Sequence, residues 1–73
     1  MTLEDMWYKG YIEIGKQFMV KRIEEDEIFS AMLIMNDLHK ESEIYLVDLE
    51  FGYIECNIDD FNYYEVIENV YVS

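Results

Sequence analysis

Apolar and polar positions change rhythm along this chain of 73 residues, and each change marks an element. At the start, Leu3, Met6, Trp7, Tyr11 and Ile14 recur at helical spacing and predict an amphipathic helix. Thr2 followed by Asp5 resembles a capping box that opens it, and Gly15 stands where a left-handed residue would close it. Gly10 then falls in the helix interior, at a cost of about 1 kcal/mol relative to alanine. Tyr11, Ile12 and Ile14 also suit a sheet, so a strand over 8–14 is the competing reading.

From Lys16 onwards the period shortens. Phe18 and Val20 fall on one face of a first strand over 16–23, with Lys21 turned to solvent. Glu24-Glu25-Asp26-Glu27 follows, as either a solvated hairpin loop or the acidic first turn of a helix. The next stretch reads both ways. Four acids at its start and His39-Lys40 at its end suit a helix dipole, and Ile28, Met32, Met35 and Leu38 recur at near-helical spacing. The nearly continuous apolar run from Phe29 to Met35, closed by Asn36-Asp37, instead suits a buried strand, and strands on either side favour that reading. After a polar loop over 39–43, Ile44–Leu49 and Tyr53–Ile58 form a hairpin around Glu50-Phe51-Gly52. A single helical turn, Asp59 to Tyr63 with Asp59 as its cap, precedes a last strand over 65–72. The expectation is one domain over 1–73, mainly β with a short N-terminal helix and five strands. The alternative is an α+β fold with a helix at about 24–39 packed on an antiparallel sheet.

Composition changes this picture mainly through charge. Seventeen acids against five bases give −12, beyond the roughly 2 to 8 units that suit a small domain. Such self-repulsion destabilises the compact state, and the surface it creates repels nucleic acid and anionic membranes while attracting basic proteins. With 52% apolar and 16% aromatic residues the chain nevertheless has enough apolar surface to fold. The lone Cys56 excludes an internal disulfide and points to a reducing compartment. No run approaches the 18 or so apolar residues of a membrane span and no signal peptide is evident, so a cytoplasmic protein is expected, in the host cytoplasm if phage-encoded.

Candidate chemistry is thin. Asp37, His39 and Glu41 are spaced as a metal set on a strand, but on an exposed loop such residues are usually solvated. Cys56 has no basic neighbour to lower its pKa, and alternating with Ile54 and Ile58 it reads as a core residue. Asp59-Asp60 lacks the further oxygens and glycine of a calcium loop, and no glycine-rich phosphate loop occurs. Lys9, Lys16, Lys21, Arg22 and Lys40 form no patch beyond Lys21-Arg22, which disfavours direct nucleic-acid binding. No cofactor and no enzymatic activity are expected.

The acids that remain concentrate on the strand-rich half: Glu41, Glu43, Asp48, Glu50, Glu55, Asp59, Asp60, Glu65 and Glu68. Read as surface residues, they form rows of carboxylates about 6.6 Å apart along alternate strand positions. Glu24 and Glu25 fall in a loop away from that sheet. Tyr63 and Tyr71 are the aromatic anchors of a partner surface built with Glu41, Glu43, Asp48, Glu50, Glu55, Asp59 and Asp60, while Tyr64 fits core and surface equally well.

In element order, residues 16–72 resemble an SH3-like small barrel. The Pro-binding signature of true SH3 domains is lacking, so the resemblance implies a fold and no ligand. In size, acidity and tyrosine content the whole chain is similar to small phage and mobile-element inhibitors, including anti-CRISPR proteins and DNA mimics. That likeness implies a non-enzymatic inhibitor that occupies a basic, nucleic-acid-binding surface of a host protein. The alternative is a structural domain that self-associates as a homodimer through a sheet edge supplied by Met32, Ile34 and the run around them.

Overall fold

A computed structural model gives the fold and describes residues 1–36 and 43–68. It is mainly β, with one short helix and one five-stranded antiparallel sheet. Helix α1 spans Leu3–Tyr8. Thr2, in extended conformation, caps it by accepting a hydrogen bond from the Asp5 N–H at 3.1 Å. The helix ends at Tyr8, well before Ile14. Gly10 adopts φ 76°, the Gly10 N–H donates to the Trp7 carbonyl at 3.0 Å, and the Tyr11 N–H donates to the Met6 carbonyl at 2.9 Å. These two bonds are a Schellman cap, so the glycine that stops the helix is Gly10, not Gly15.

The strands are β1 (Gln17–Arg22), β2 (Glu27–Asn36), β3 (Glu43–Asp48), β4 (Tyr53–Asn57) and β5 (Tyr64–Glu68). Their order in the sheet is β4-β3-β2-β1-β5. The stretch that read both as helix and as strand is therefore a strand: β2, ten residues long and hydrogen-bonded to a neighbour on each side. Its central place explains the unbroken apolar run. It also means that Met32 and Ile34 belong to a sheet face and cannot offer an edge. Glu24 to Asp26 lie in the β1–β2 turn, where Asp26 takes φ 55° and its N–H donates to the Arg22 carbonyl.

Between β4 and β5 the chain makes a 3-10 helix over Ile58–Tyr63. Its cap is Asn57, whose side chain accepts from the Asp59 N–H at 3.0 Å, two residues earlier than the expected Asp59. Strand order and this helical turn match the expected sequence of elements, but the sheet is not closed into a barrel. The reason lies at the edge of β5. Thr2 bridges Glu65, and the Val66 N–H donates to the Met1 carbonyl at 3.2 Å, so the N-terminal residues occupy the edge that β4 would need.

The core is one layer deep. Phe18 and Val20 from β1, Phe29, Ala31 and Leu33 from β2, and Leu46 from β3 point inward and are almost fully buried. Leu3 of α1 and Phe61 of the 3-10 helix cover them from the open side. Cys56 is half-buried and packs against this cluster, consistent with a core-facing position. Among the described residues, no helix is long and apolar enough to cross a membrane.

Candidate functional site

The end of β1 carries the only arginine in the chain, and an extensive polar network among the described residues is built on it. Arg22 lies opposite Glu27 on β2 and Tyr64 on β5, on the inward side of the sheet. Its guanidinium forks onto Glu55 of β4, with Nε 2.5 Å from Oε1 and Nη2 2.7 Å from Oε2. Nη1 lies 2.7 Å from Glu27, and Nη2 reaches Asp48 at 3.7 Å and the Tyr53 hydroxyl at 3.3 Å. The cation also sits 4.4 Å above the centre of the Phe29 ring, which meets Tyr64 edge-on. Tyr64 donates its hydroxyl hydrogen to Glu55 at 3.0 Å. One cation thus joins β1, β2, β3 and β4 across the inward side of the open sheet.

These contacts shift the groups they join. The Arg22 hydrogen bonds, helped by that of Tyr64, hold the Glu55 carboxyl below its ordinary value despite partial burial. Bonding to Glu55 raises Arg22. Burial raises the Tyr64 hydroxyl. The Cys56 thiol is pushed up to about 12, chiefly by burial and further by the carboxylates of Asp60 and Glu55.

Beside this network a cleft of about 360 Å³ opens between the β1–β2 turn and the 3-10 helix. Arg22, Glu55, Cys56 and Tyr64 form its floor; Glu24 and Glu25 stand on one side and Asp60 and Tyr63 on the other. The rim residues are all exposed. The floor carboxylate is neutralised by Arg22, whereas Glu24, Glu25 and Asp60 face solvent, and together they make the cleft strongly anionic. Tyr63 adds an accessible ring.

The acids expected to form one surface are dispersed. Asp48 is buried, at 1% exposure. Besides meeting Arg22, it accepts from the Glu50 and Phe51 N–H groups at 2.8 and 3.2 Å and so shapes the β3–β4 turn. Glu55 is engaged as described, with only 9% of its side chain exposed. Neither side chain is free to meet a partner, because both carboxylates satisfy inward donors. Glu50 is exposed in the β3–β4 turn, and Glu43 is exposed at the far end of β3, where it accepts from the Tyr45 hydroxyl. Asp59, Asp60 and Tyr63 share the 3-10 helix and are exposed. Glu41 and Tyr71, like the Asp37–His39–Glu41 set, lie outside the described residues. Among the described residues no continuous row of carboxylates forms, because Asp48 and Glu55 turn inward.

Glu24 and Glu25 are the residues that sequence reasoning misplaced: the β1–β2 turn brings them to the same cleft as Glu55, Asp60 and Tyr63. Arg22 was read only as half of a basic dipeptide. The available signal was its being the sole guanidinium in a chain of −12, since a planar fork of donors among so many carboxylates will find several. No protein-family model, curated protein or solved structure matches this chain.

Proposed function

We propose that this chain is a small, non-enzymatic binding protein that inserts its acidic cleft edge into a basic, nucleic-acid-binding surface of a host protein, as an inhibitor of the phage type acting in the cytoplasm. The observation that carries the reading is the arrangement of Glu24, Glu25 and Asp60 around the exposed Tyr63 ring. Carboxylates from the β1–β2 turn and the 3-10 helix face one opening, which suits the capture of lysine or arginine side chains, and tyrosine supplies apolar contact beside them. The state of the floor supports binding over catalysis. Glu55 is held ionised by Arg22 and is a poor proton donor, and the raised Cys56 thiol leaves little thiolate at neutral pH.

Affinity capture from a bacterial lysate tests this, using the wild-type chain and the double variant Glu24→Lys/Asp60→Lys. The wild type should retain a basic protein that salt of about 0.5 M releases and that competing DNA or RNA displaces. The variant should lose that protein while keeping its thermal stability, because exposed charge changes usually alter stability by about 0.5 kcal/mol or less. Equal retention by both chains, or a retained protein indifferent to salt and to nucleic acid, would sink the reading.

A further inference from the structure

The sheet has a second face, and its composition departs from that of a face left in water. Residues opposite one another in an antiparallel ladder share a face, so the register fixes what lies there. Gln17, Met32, Val47 and Ile54 form one row across four strands, and Ile34 with Tyr45 forms the next. All lie opposite in parity to the buried Phe29, Ala31 and Leu33, so they point away from the core. An antiparallel sheet with one solvated face normally alternates apolar with polar residues. Here the middle strands are apolar on both sides, and Ile28 and Ile54 are 50% and 55% exposed.

Charge decides what fits this face. The protein carries −12, yet the strand register sets only Glu43, Glu65 and Glu68 among its acids on the outer face, and Glu65 lies opposite Lys21 across the β1–β5 ladder. The inward-facing Glu27, Asp48 and Glu55 are tied to Arg22, and the cleft acids belong to the other side. A basic partner finds its complement at the cleft and nothing to attract it here. A second copy of this chain, repelled at the acidic cleft, meets fewer charges here.

We propose that two copies stack through this outer face into a two-layered β-sandwich, with Met32, Ile34, Val47 and Ile54 of each copy at the centre. The proposal is independent of the basic-partner reading. It differs from association through a sheet edge, since β2 is central and has no free edge. Five strands about 4.8 Å apart, each offering about four residues at 3.3 Å, make a face of roughly 320 Å² in plan. Doubled over two copies, that stays below the roughly 1,000 Å² of a stable interface, so the dimer is weak and transient and dissociates on dilution. Both acidic clefts remain open on the outside of such a pair.

Sedimentation equilibrium, over about 5 to 500 µM chain and at about 20 and 500 mM salt, is the test. The mass should rise from 8.9 kDa toward twice that value with concentration. Higher salt should tighten the dimer by screening the repulsion of two −12 copies, the reverse of its effect on a basic partner. Val47→Thr/Ile54→Thr retains strand propensity and adds no charge, and it should weaken association at least tenfold while circular dichroism shows the fold intact. If that pair fails to fold, Ile54→Thr alone, at a half-exposed site, should still weaken it severalfold. Glu24→Lys/Asp60→Lys should associate more tightly, having less charge to repel. A monomer at every concentration in high salt would overturn the proposal, as would a dimer indifferent to both threonine variants. Failure of the wild-type chain to capture a basic protein, with dimerisation observed, would count against the basic partner alone.

Discussion

Replacing Arg22 with methionine should be among the most damaging single changes available to this protein. The side chain is 15% exposed, and it partners Glu55 and Asp48, whose side chains are 9% and 1% exposed. Removing the cation leaves two poorly hydrated carboxylates without their counter-charge, a situation that costs about 3–5 kcal/mol in other buried pairs. The contact with Glu27, itself 52% exposed, adds at most about 1 kcal/mol. A chain of 73 residues has a total stability of about 4–11 kcal/mol, so Arg22→Met should lose about a quarter of it or more. Urea unfolding at pH 7, followed by fluorescence of the half-buried Trp7, measures the loss. Arg22→Lys keeps the charge but not the fork, and should lose about half as much. Adding Glu55→Gln to Arg22→Met should restore about 1–2 kcal/mol, since the amide carbonyl still accepts from Tyr64 while the stranded charge disappears. Wild-type stability in Arg22→Met, or strict additivity of the two changes, would refute the account of a charge network joining four strands.

Two further effects follow from the same contacts and from the helix cap. Because Glu55 titrates below its ordinary 4.5 in the fold, its stabilising contribution is present above pH 4.5 and lost as pH falls through its folded value. Cys56 is displaced the other way, so its contribution is present below pH 9.0 and lost as pH climbs from 9.0 toward about 12. Melting temperatures across that range should decline at both ends, with Glu55→Gln flattening the acid limb and Cys56→Ala the alkaline one. Gly10→Ala should lower stability by about 1 kcal/mol through φ 76° alone, because nothing lies within 4 Å of the added methyl group; an unchanged melting temperature would contradict the cap.

Strands were legible where alternation or an unbroken apolar run met turn residues, as in β1, β2 and the β3–β4 hairpin. Two misreadings have definite physical causes. The helical spacing of Tyr11 and Ile14 continued past Gly10, but a glycine in the left-handed region ends a helix whatever follows it. Asp48 looked like a surface acid because sequence gives a carboxylate no direction. Its inward turn depends on Arg22, 26 positions away, and on the N–H groups of a turn that follows it. Closure of a barrel was likewise undecidable from element order, since it turned on whether Met1 and Thr2 or β4 took the edge of β5. The cleft escaped detection because its rim comes from residues 24–25 and 60–63, which no local pattern relates.

The long reach from β1 to β5 also sets an order of events during folding. Strands β1 to β4 form a meander in which each pairs with the next along the chain, so their ladders close short loops. The ladder joining Val20 to Val66, by contrast, waits for nearly the whole chain, and the Thr2–Glu65 bridge waits longer still. On a ribosome, β1 therefore emerges early with its outer edge bare, beside side chains destined for the core, until the last strand follows. Non-local closure of this kind is slow relative to hairpin formation. The dense negative charge has a use in that interval: it keeps unfinished copies, each with an open edge, from pairing with one another.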